Sequence, residues 1–227
     1  MSTSAAAWAG KDGDRRGRWE PAPLKGALPM YPANAANPAW ITVPSADSLP
    51  EKVATEIDPI VKKIGFVPNV VRLLAISPDH FVGWWRYFDE LMRGPSGLSK
   101  TQREMIAVVI SAEARCPYCV VAHAAALRLR TKDATLVDRL AANYRHVELA
   151  RQDKMMLDFA VKLTQTPEAC DENDTVRLRD VGFTDADILH IVEVTAIFNY
   201  NVRLATATGL FPNAGYHDLG RTAAPEG

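Results

Sequence analysis

The sequence predicts an all-α fold, and two observations lead to it. Several segments space their apolar residues three, four and seven positions apart, which places those residues on one face of a helix. No segment alternates apolar and polar residues over any length, as a half-buried strand would. The clearest helical stripe consists of Phe81, Trp84, Trp85, Phe88 and Leu91. We therefore expect a multi-helix bundle with no significant sheet, packed around the apolar run Met105–Ile110.

Composition divides the chain into three regions. Residues 1–47 are rich in Ala, Gly, Pro and charged residues without an apolar period, which is typical of an extended or disordered arm. Residues 48–210 carry the helical patterns and form the predicted domain. Residues 211–227 contain Gly, Pro and Asn without periodicity, so they are expected to form an irregular tail.

In the first half of the domain, capping residues and prolines set the predicted helix boundaries. Ser48 and Glu51 form one capping box, and Ser99 and Gln102 form another. Pro59 is expected to bend or shorten the first helix, because proline removes a helical hydrogen bond. These signals predict helices over residues 50–63, 69–76 and 78–92, and a further helix from residue 100 onward.

In the second half, similar signals divide the remaining helices. Thr131 is the predicted cap of a helix that ends near residue 143, and Gly182 suits the position just after a helix. Thr184 with Asp187 caps the last long helix. The helix capped by Thr131 is predicted to end near residue 143. Three further helices are predicted over residues 149–164, 174–181 and 185–207.

One stretch, residues 104–123, concentrates the reactive side chains. Cys116 and Cys119 form a C-x-x-C pair, His123 follows four residues later, and Glu104 begins the apolar run. Pro117 suits the first position of a helix and keeps the residue before it non-helical, so Cys116 is the predicted N-cap. Cys119 then lies in the first turn of the helix, where unpaired amides and the helix dipole favour a thiolate.

These four residues are expected to converge in a dry site. His123 lies one turn beyond Cys119 on the same helix face, where it can accept the thiol proton. Glu104 should be buried with its apolar neighbours, and a buried carboxylate is costly unless it has a partner or a task. The pattern predicts a redox dithiol with a built-in base.

Other interpretations of the cysteines stay open. A zinc site normally needs four ligands, and the only further cysteine, Cys170, is distant in sequence. Two merely buried core cysteines are also possible, because free cysteine is often buried. Covalent haem attachment is excluded, since it needs histidine directly after the second cysteine and Val120 is there.

The spacing of Glu104, Cys116, Cys119 and His123 resembles the E-x11-C-x2-C-x3-H signature of the alkylhydroperoxidase D family, part of the carboxymuconolactone decarboxylase superfamily. The strings GFVPNVVRLLAISP, LSKTQREMIAVVISAEARCPYCVVAH and ILHIVEVTAIFNYNVRLATATGL resemble its peroxidase-related branch. The resemblance implies an all-α fold, a peroxidase and an oligomer. Tyr118 departs from the pattern, because the best-studied members have histidine before the second cysteine. A relay through that histidine is not carried over.

The predicted mechanism is that of a thiol peroxidase. Cys119 attacks the hydroperoxide, and Cys116 then attacks the resulting sulfenic acid to close a disulfide. Glu104 is expected to relay protons to Cys116, and Cys116 is the expected exposed sulfur that an external dithiol reduces. The resemblance assigns the two cysteines in the same way and implies a lipoyl or thioredoxin-type reductant.

Two other classes of function remain as alternatives. One is lactone decarboxylation of the carboxymuconolactone decarboxylase type, whose members generally lack the cysteine pair. The other is a zinc-bound or helical assembly module without redox turnover. No cofactor and no resident metal is expected for the peroxidase.

Composition indicates the surroundings of the protein. Lys and Arg total 26 and Asp and Glu total 27, so charge provides no case for nucleic acid or anionic membrane. No apolar run is long enough to span a bilayer, and the N-terminus does not resemble a signal peptide. Three cysteines do not suit a secreted disulfide scaffold, so a cytoplasmic location is predicted. The aromatic stripe predicts a homo-oligomer with Trp84 or Trp85 near the contact.

Overall fold

The computed structural model describes residues 37–221, which form an all-α fold with no strand in that range. The predictions for residues 1–36 and 222–227 lie outside the described residues. The helices are α1 (Glu51–Ile64), α2 (Asn69–Leu74), α3 (Pro78–Arg93), α4 (Lys100–Glu113), α5 (Pro117–Thr131), α6 (Ala134–Asn143), α7 (Arg151–Gln165), α8 (Glu172–Asp180), α9 (Asp185–Ala207) and α10 (Gly215–Asp218). The predicted fold class is confirmed.

Helix α4 is the central element of the bundle. It packs against α3, α5, α6, α7 and α9, and every residue of Met105–Ile110 is buried. Ser99 and Gln102 form the predicted capping box at its start. A helix that is apolar on most sides can bury its apolar surface only in the protein interior, which explains why α4 lies at the centre. Glu104, on the same helix, is therefore carried into the interior as expected.

Buried Arg103 fixes the connection between α3 and α4. Its guanidinium donates hydrogen bonds to the backbone oxygens of Leu91, Gly94 and Leu98. The side chain is only 2% exposed. Because buried polar groups need partners, this arginine and the loop carbonyls satisfy one another. The loop thereby sets the angle at which α4 enters the core.

Two predicted caps are wrong. Ser48 bonds back to Ser45 in a short 3₁₀ turn, so its hydroxyl is used upstream and Pro50 occupies the N-cap of α1. Thr131 is the last residue of α5, where its hydroxyl donates to the Leu127 carbonyl. The cap of α6 is instead Asp133, which accepts from the Leu136 amide at 2.8 Å. A nearby hydroxyl or carboxylate competes for each cap, and local sequence does not decide the competition.

Both ends of the described chain pack on the bundle. Ala39 and Val43, from the predicted arm, are buried, and the Trp40 amide donates to the Thr208 carbonyl at 2.8 Å. Gly209 has a φ of +61° and lies against the Trp40 indole, where a Cβ atom would clash. The tail predicted to be irregular contains the one-turn helix α10.

A buried arginine anchors the tail. Arg128 on α5 donates to the backbone oxygens of Tyr216 at 2.7 Å and Leu219 at 2.9 Å. Gly220, with a φ of +74°, allows the tail backbone to approach Arg128 closely. These bonds hold α10 against α5. Within residues 37–221, no helix is both long and apolar enough to cross a bilayer.

Candidate active site

The two cysteines lie at the start of α5, as predicted. Cys116 is the N-cap, with extended backbone angles, and Pro117 is the first helical residue. Both cysteines are free thiols and both are buried, with Cys116 1% and Cys119 3% exposed. The expectation that Cys116 is the exposed sulfur is therefore wrong. The N-cap position does not expose it because the chain around it is covered by residues of the same apolar cluster.

Hydrogen bonds make Cys116 the more acidic of the two thiols. The Cys119 thiol, and the Cys119 and Tyr118 amides of the first turn, donate to the Cys116 sulfur and lower its pKa to about 6 against the effect of burial. The same hydrogen bond, together with burial, raises the pKa of Cys119 well above its ordinary value. The reduced pair is therefore a Cys116 thiolate that accepts a hydrogen bond from the Cys119 thiol. Sequence spacing by itself indicates the thiolate at Cys119 instead.

Each sulfur has a hydroxyl partner that sequence reasoning missed. Exposed Thr206 of α9 donates to Cys116, so this threonine lies between the thiolate and the surface. Fully buried Ser111 lies beside Cys119, although its hydroxyl also donates to the Ala107 carbonyl at 2.6 Å. One hydroxyl has only one proton to donate. Ser111 can therefore turn from the carbonyl to Cys119 when that sulfur becomes anionic.

His123 and Glu104 form a bonded pair across α4 and α5. His123 Nδ1 lies 2.8 Å from Glu104 Oε2. Phe198 and Phe88 pack edge-on against the imidazole, with ring centroids 4.6 and 6.2 Å away. Arg130 Nε lies 3.9 Å from the other carboxylate oxygen. Glu104 is thus hydrogen-bonded to His123, and its relay of protons to Cys116 stays a prediction.

A cavity of about 140 Å³ brings the reactive groups together. Cys119, His123 and Glu104 all line it. Its remaining wall is mainly apolar and includes Ile60, Ile64, Val70, Trp84, Met92 and Leu129. This volume is close to that of engineered protein cavities that admit benzene, roughly 150 Å³. The cavity can therefore hold a small, largely apolar molecule against the Cys119 sulfur.

Trp84 and Trp85 are part of this wall. Trp84 Nε1 donates to Asn201 Oδ1 at 3.0 Å, and Phe88 stacks on its ring. Trp85 is 7% exposed and stacks on Phe81. The aromatic stripe thus packs against other residues of the same chain. The predicted homo-oligomer stays a prediction, and the stripe no longer supports it.

Two tyrosines complete the wall beside Cys119. Tyr118, whose position is histidine in the best-studied members of the family, is buried, and its hydroxyl accepts from the Val70 amide at 3.1 Å. Tyr118 also bonds to the hydroxyl of Tyr216, which comes from the tail. Burial raises the pKa of both phenols, so both are protonated donors near neutral pH. Tyr216 carried no sequence signal because it lies in a segment without periodicity.

The structure therefore gathers three of the four predicted residues around one cavity and places Cys116 behind Cys119. Among residues 37–221, no group of three or more His, Cys, Asp or Glu side chains is arranged to hold a metal ion. The zinc alternative has no donor set in that part of the chain.

The chain is similar to known proteins both in sequence and in fold. The model of the carboxymuconolactone decarboxylase family matches residues 78–142. No curated protein sequence matches the chain significantly. The family match covers α3, α4, α5 and most of α6, which include all four predicted site residues.

Solved structures match over most of the chain. One is described as an alkylhydroperoxidase AhpD core, an uncharacterized peroxidase-related protein from Ralstonia eutropha JMP134. It has 38% identity and a TM-score of 0.79, and the match covers 84% of this chain and 100% of that one. An uncharacterized peroxidase-related protein from Silicibacter sp. TM1040 has 41% identity and a TM-score of 0.77, covering 81% and 96%.

A more distant neighbour shares only the fold. The debrominase Bmp8, solved with 2,3,4-tribromopyrrole, has 17% identity and a TM-score of 0.64, covering 75% and 92%. The first two structures are 38% and 41% identical to this chain, and each match covers more than four-fifths of it. The chain therefore belongs to the alkylhydroperoxidase D-like proteins of the carboxymuconolactone decarboxylase superfamily, in their peroxidase-related branch.

Proposed function

We propose that the protein is a thiol-dependent peroxidase that reduces hydroperoxides through Cys116 and Cys119. The position of Cys119 carries this proposal. Cys119 lines the same cavity as His123 and Glu104, and its thiol is hydrogen-bonded to the Cys116 sulfur. A peroxide in the cavity meets Cys119 first. Cys116 is already in hydrogen-bond contact with it, so little movement is needed to form a disulfide.

The first chemical step begins with proton transfer within the pair. The Cys119 proton moves along its hydrogen bond to the Cys116 sulfur, and Ser111 supports the new Cys119 thiolate. Cys119 Sγ then attacks the terminal oxygen of R–O–OH. An S–O bond forms, the O–O bond breaks, and the products are a Cys119 sulfenic acid and an alkoxide. The alkoxide takes a proton from the His123–Glu104 pair and leaves as an alcohol.

The second step closes the disulfide. The Cys116 thiol gives up its proton, and its sulfur attacks Cys119 Sγ. The sulfenic hydroxyl departs with that proton as water. One thiolate, one thiol, one hydroperoxide and one additional proton become a disulfide, an alcohol and a water. The single proton consumed enters through His123 and Glu104, which explains the use of a buried imidazole–carboxylate pair.

An external dithiol, of the lipoyl or thioredoxin type, then reduces the disulfide by exchange. We place its approach at the α9 surface beside Thr206, because this exposed residue bonds directly to Cys116. Peroxide and reductant would thus meet different sulfurs. The proposed cellular setting is the reducing cytoplasm, where such a pair can cycle.

The test is a count of free thiols before and after one equivalent of an alkyl hydroperoxide. We expect two thiols to disappear, with a Cys116–Cys119 disulfide in the mass spectrum. Cys116→Ser should retain an oxidised Cys119 that adds one or more oxygens, and Cys119→Ser should consume no peroxide. Cys170→Ser is the matched control and should behave as the unaltered protein. Unchanged thiol counts, or decarboxylation of a lactone by the intact dithiol, would overturn the proposal.

A further inference from the structure

The tail places a phenol in the cavity that the steps above do not use. Tyr216, in α10, lines the cavity together with Cys119, and the charges of Arg93 and Glu104 act on its hydroxyl. Its ring is held edge-on by Phe66, with centroids 4.9 Å apart, and by Tyr118 at 6.5 Å. Bonds from Arg128 to the backbone oxygens of residues 216 and 219 fix the segment. These contacts hold the side chain in the wall of the cavity that Cys119 also lines.

Hydrogen bonds run from Val70 through Tyr118 to Tyr216. The Val70 amide donates a hydrogen bond to Tyr118 Oη at 3.1 Å. Tyr118 passes its own hydroxyl proton to Tyr216 Oη. A phenol has one proton, so the proton of Tyr216 is left to point elsewhere. Tyr216 lines the cavity, so this proton is available to an acceptor bound there.

We propose that Tyr216 is a catalytic hydrogen-bond donor that stabilises the alkoxide formed when Cys119 breaks the O–O bond. This inference rests on the proposed peroxidase function. In that step, the electron pair of the O–O bond moves onto the oxygen bearing the substituent, and negative charge grows there. The Tyr216 hydroxyl donates to this oxygen and keeps its own proton, while the His123–Glu104 pair supplies the proton that completes the alcohol.

The physical setting makes such a donor effective. A fixed donor in a largely apolar cavity needs no reorganisation as charge develops, and it acts more strongly than it would in water. The chain from Val70 through Tyr118 polarises Tyr216 further, because successive hydrogen bonds reinforce one another. Tyr118 therefore acts as a positioning residue. It occupies the place of the family histidine without repeating its proton chemistry.

The experiment compares two peroxides with different leaving groups. Single-turnover oxidation of the reduced protein is measured with an alkyl hydroperoxide, whose leaving group is an alkoxide, and with a peroxycarboxylic acid, whose leaving group is a stable carboxylate. Tyr216→Phe should slow the alkyl hydroperoxide by roughly 10²-fold, the size found when one oxyanion donor is removed. The peroxycarboxylic acid should slow by less than about 10-fold, because its leaving group needs little help.

Controls separate this role from a structural one. Tyr200→Phe, at an exposed tyrosine of α9, should leave both rates unchanged. Tyr118→Phe keeps the Tyr216 hydroxyl but removes its supporting bond, so it should give a smaller loss with the same preference between substrates. If Tyr216→Phe fails to fold, Tyr118→Phe still tests the proposal through this preference between substrates. Equal losses with both peroxides, or no loss, would overturn the role of Tyr216 alone. An unaltered protein that oxidises with neither peroxide would overturn the peroxidase function and this inference together.

Discussion

His123 Nδ1 lies 2.8 Å from Glu104 Oε2, so the imidazole on α5 is oriented by a carboxylate on α4. This bond leaves Nε2 as the ring nitrogen that can exchange a proton with the cavity. Nineteen residues separate the two side chains, and only the packing of α4 against α5 brings them together. The pair couples a proton donor to a cavity that also contains a thiol.

Glu104→Gln should lower peroxide turnover by about 10²-fold or more, because the amide keeps the shape of the site but carries no proton. The fold should survive, since the amide can still bond to His123. Single-turnover rates and thermal unfolding would measure the two effects. Glu113→Gln is the matched control on the same helix, where the carboxylate pairs with Arg145. Full activity in Glu104→Gln would remove this carboxylate from the mechanism.

The thiolate absorbance of the reduced protein should titrate with a midpoint near pH 6, from the Cys116 thiolate. Cys119→Ala should move the midpoint upward, because it removes the largest hydrogen bond that lowers this pKa. Cys116→Ala should abolish the transition. A midpoint near the ordinary value of 9.0 in the unaltered protein would contradict the arrangement of the pair.

The same pKa shift predicts how stability depends on pH. The folded pKa of Cys116, about 6, lies below its ordinary value of 9.0, so the thiolate stabilises the fold fully above that ordinary value. This contribution should decline as the pH falls towards 6 and be lost below it. The difference in unfolding free energy between the unaltered protein and Cys116→Ala, measured by urea denaturation across this range, should shrink accordingly. A difference that does not vary with pH would oppose the prediction.

Thr206→Phe should slow reduction of the disulfide by an external dithiol by roughly 10-fold or more, because exchange depends on access to one sulfur. Oxidation by peroxide should stay near normal, since the cavity is untouched. Thr206→Val removes the hydrogen bond to Cys116 but preserves the size of the side chain, so its reduction rate should remain close to normal. Thr55→Phe, at an exposed threonine of α1, is the control. Equal reduction rates in all variants would place the reductant elsewhere.

Arg103→Met should lower the unfolding free energy by about 2–4 kcal/mol, because three buried backbone carbonyls lose a charged donor. Urea denaturation would measure the loss. Arg86→Met is the matched control, because Arg86 is exposed and its pair with Glu56 lies at the surface. That substitution should cost no more than about 1 kcal/mol. A loss for Arg103→Met as small as that of the control would contradict its role in fixing the loop.

Sedimentation at micromolar concentration tests the predicted homo-oligomer. We expect a mass above the 24.9 kDa of one chain. Since Trp84 and Trp85 are used inside the chain, Trp84→Ala should destabilise the fold and leave the number of subunits unchanged. A mass near that of one chain would end the prediction.

Several features of this protein follow from the sequence alone because their causes are local. Pro117 and the C-x-x-C spacing place Cys116 at a helix N-cap, and the six apolar residues after Glu104 require a buried helix. The family signature likewise needs only residue types and spacing. The fold class and the expected convergence of thiols, imidazole and carboxylate are therefore predictable from residue order.

Features that depend on distant segments came only from the tertiary structure. Thr206 of α9 reaches the Cys116 sulfur from about 90 residues away in the chain, and Tyr216 of the tail lines the cavity with Cys119 from about 100 residues away. Val202, Ala205 and Leu210, also distant in sequence, pack in the same cluster as Cys116, and the Thr206 hydroxyl adds to the hydrogen bonds that lower its pKa. Sequence spacing describes only neighbours along one helix. The sequence by itself determined the position of the cysteine pair at a helix start and the buried helix that carries Glu104, whereas the burial of both sulfurs and the contacts made to them from α9 were decided by what the fold packs around them.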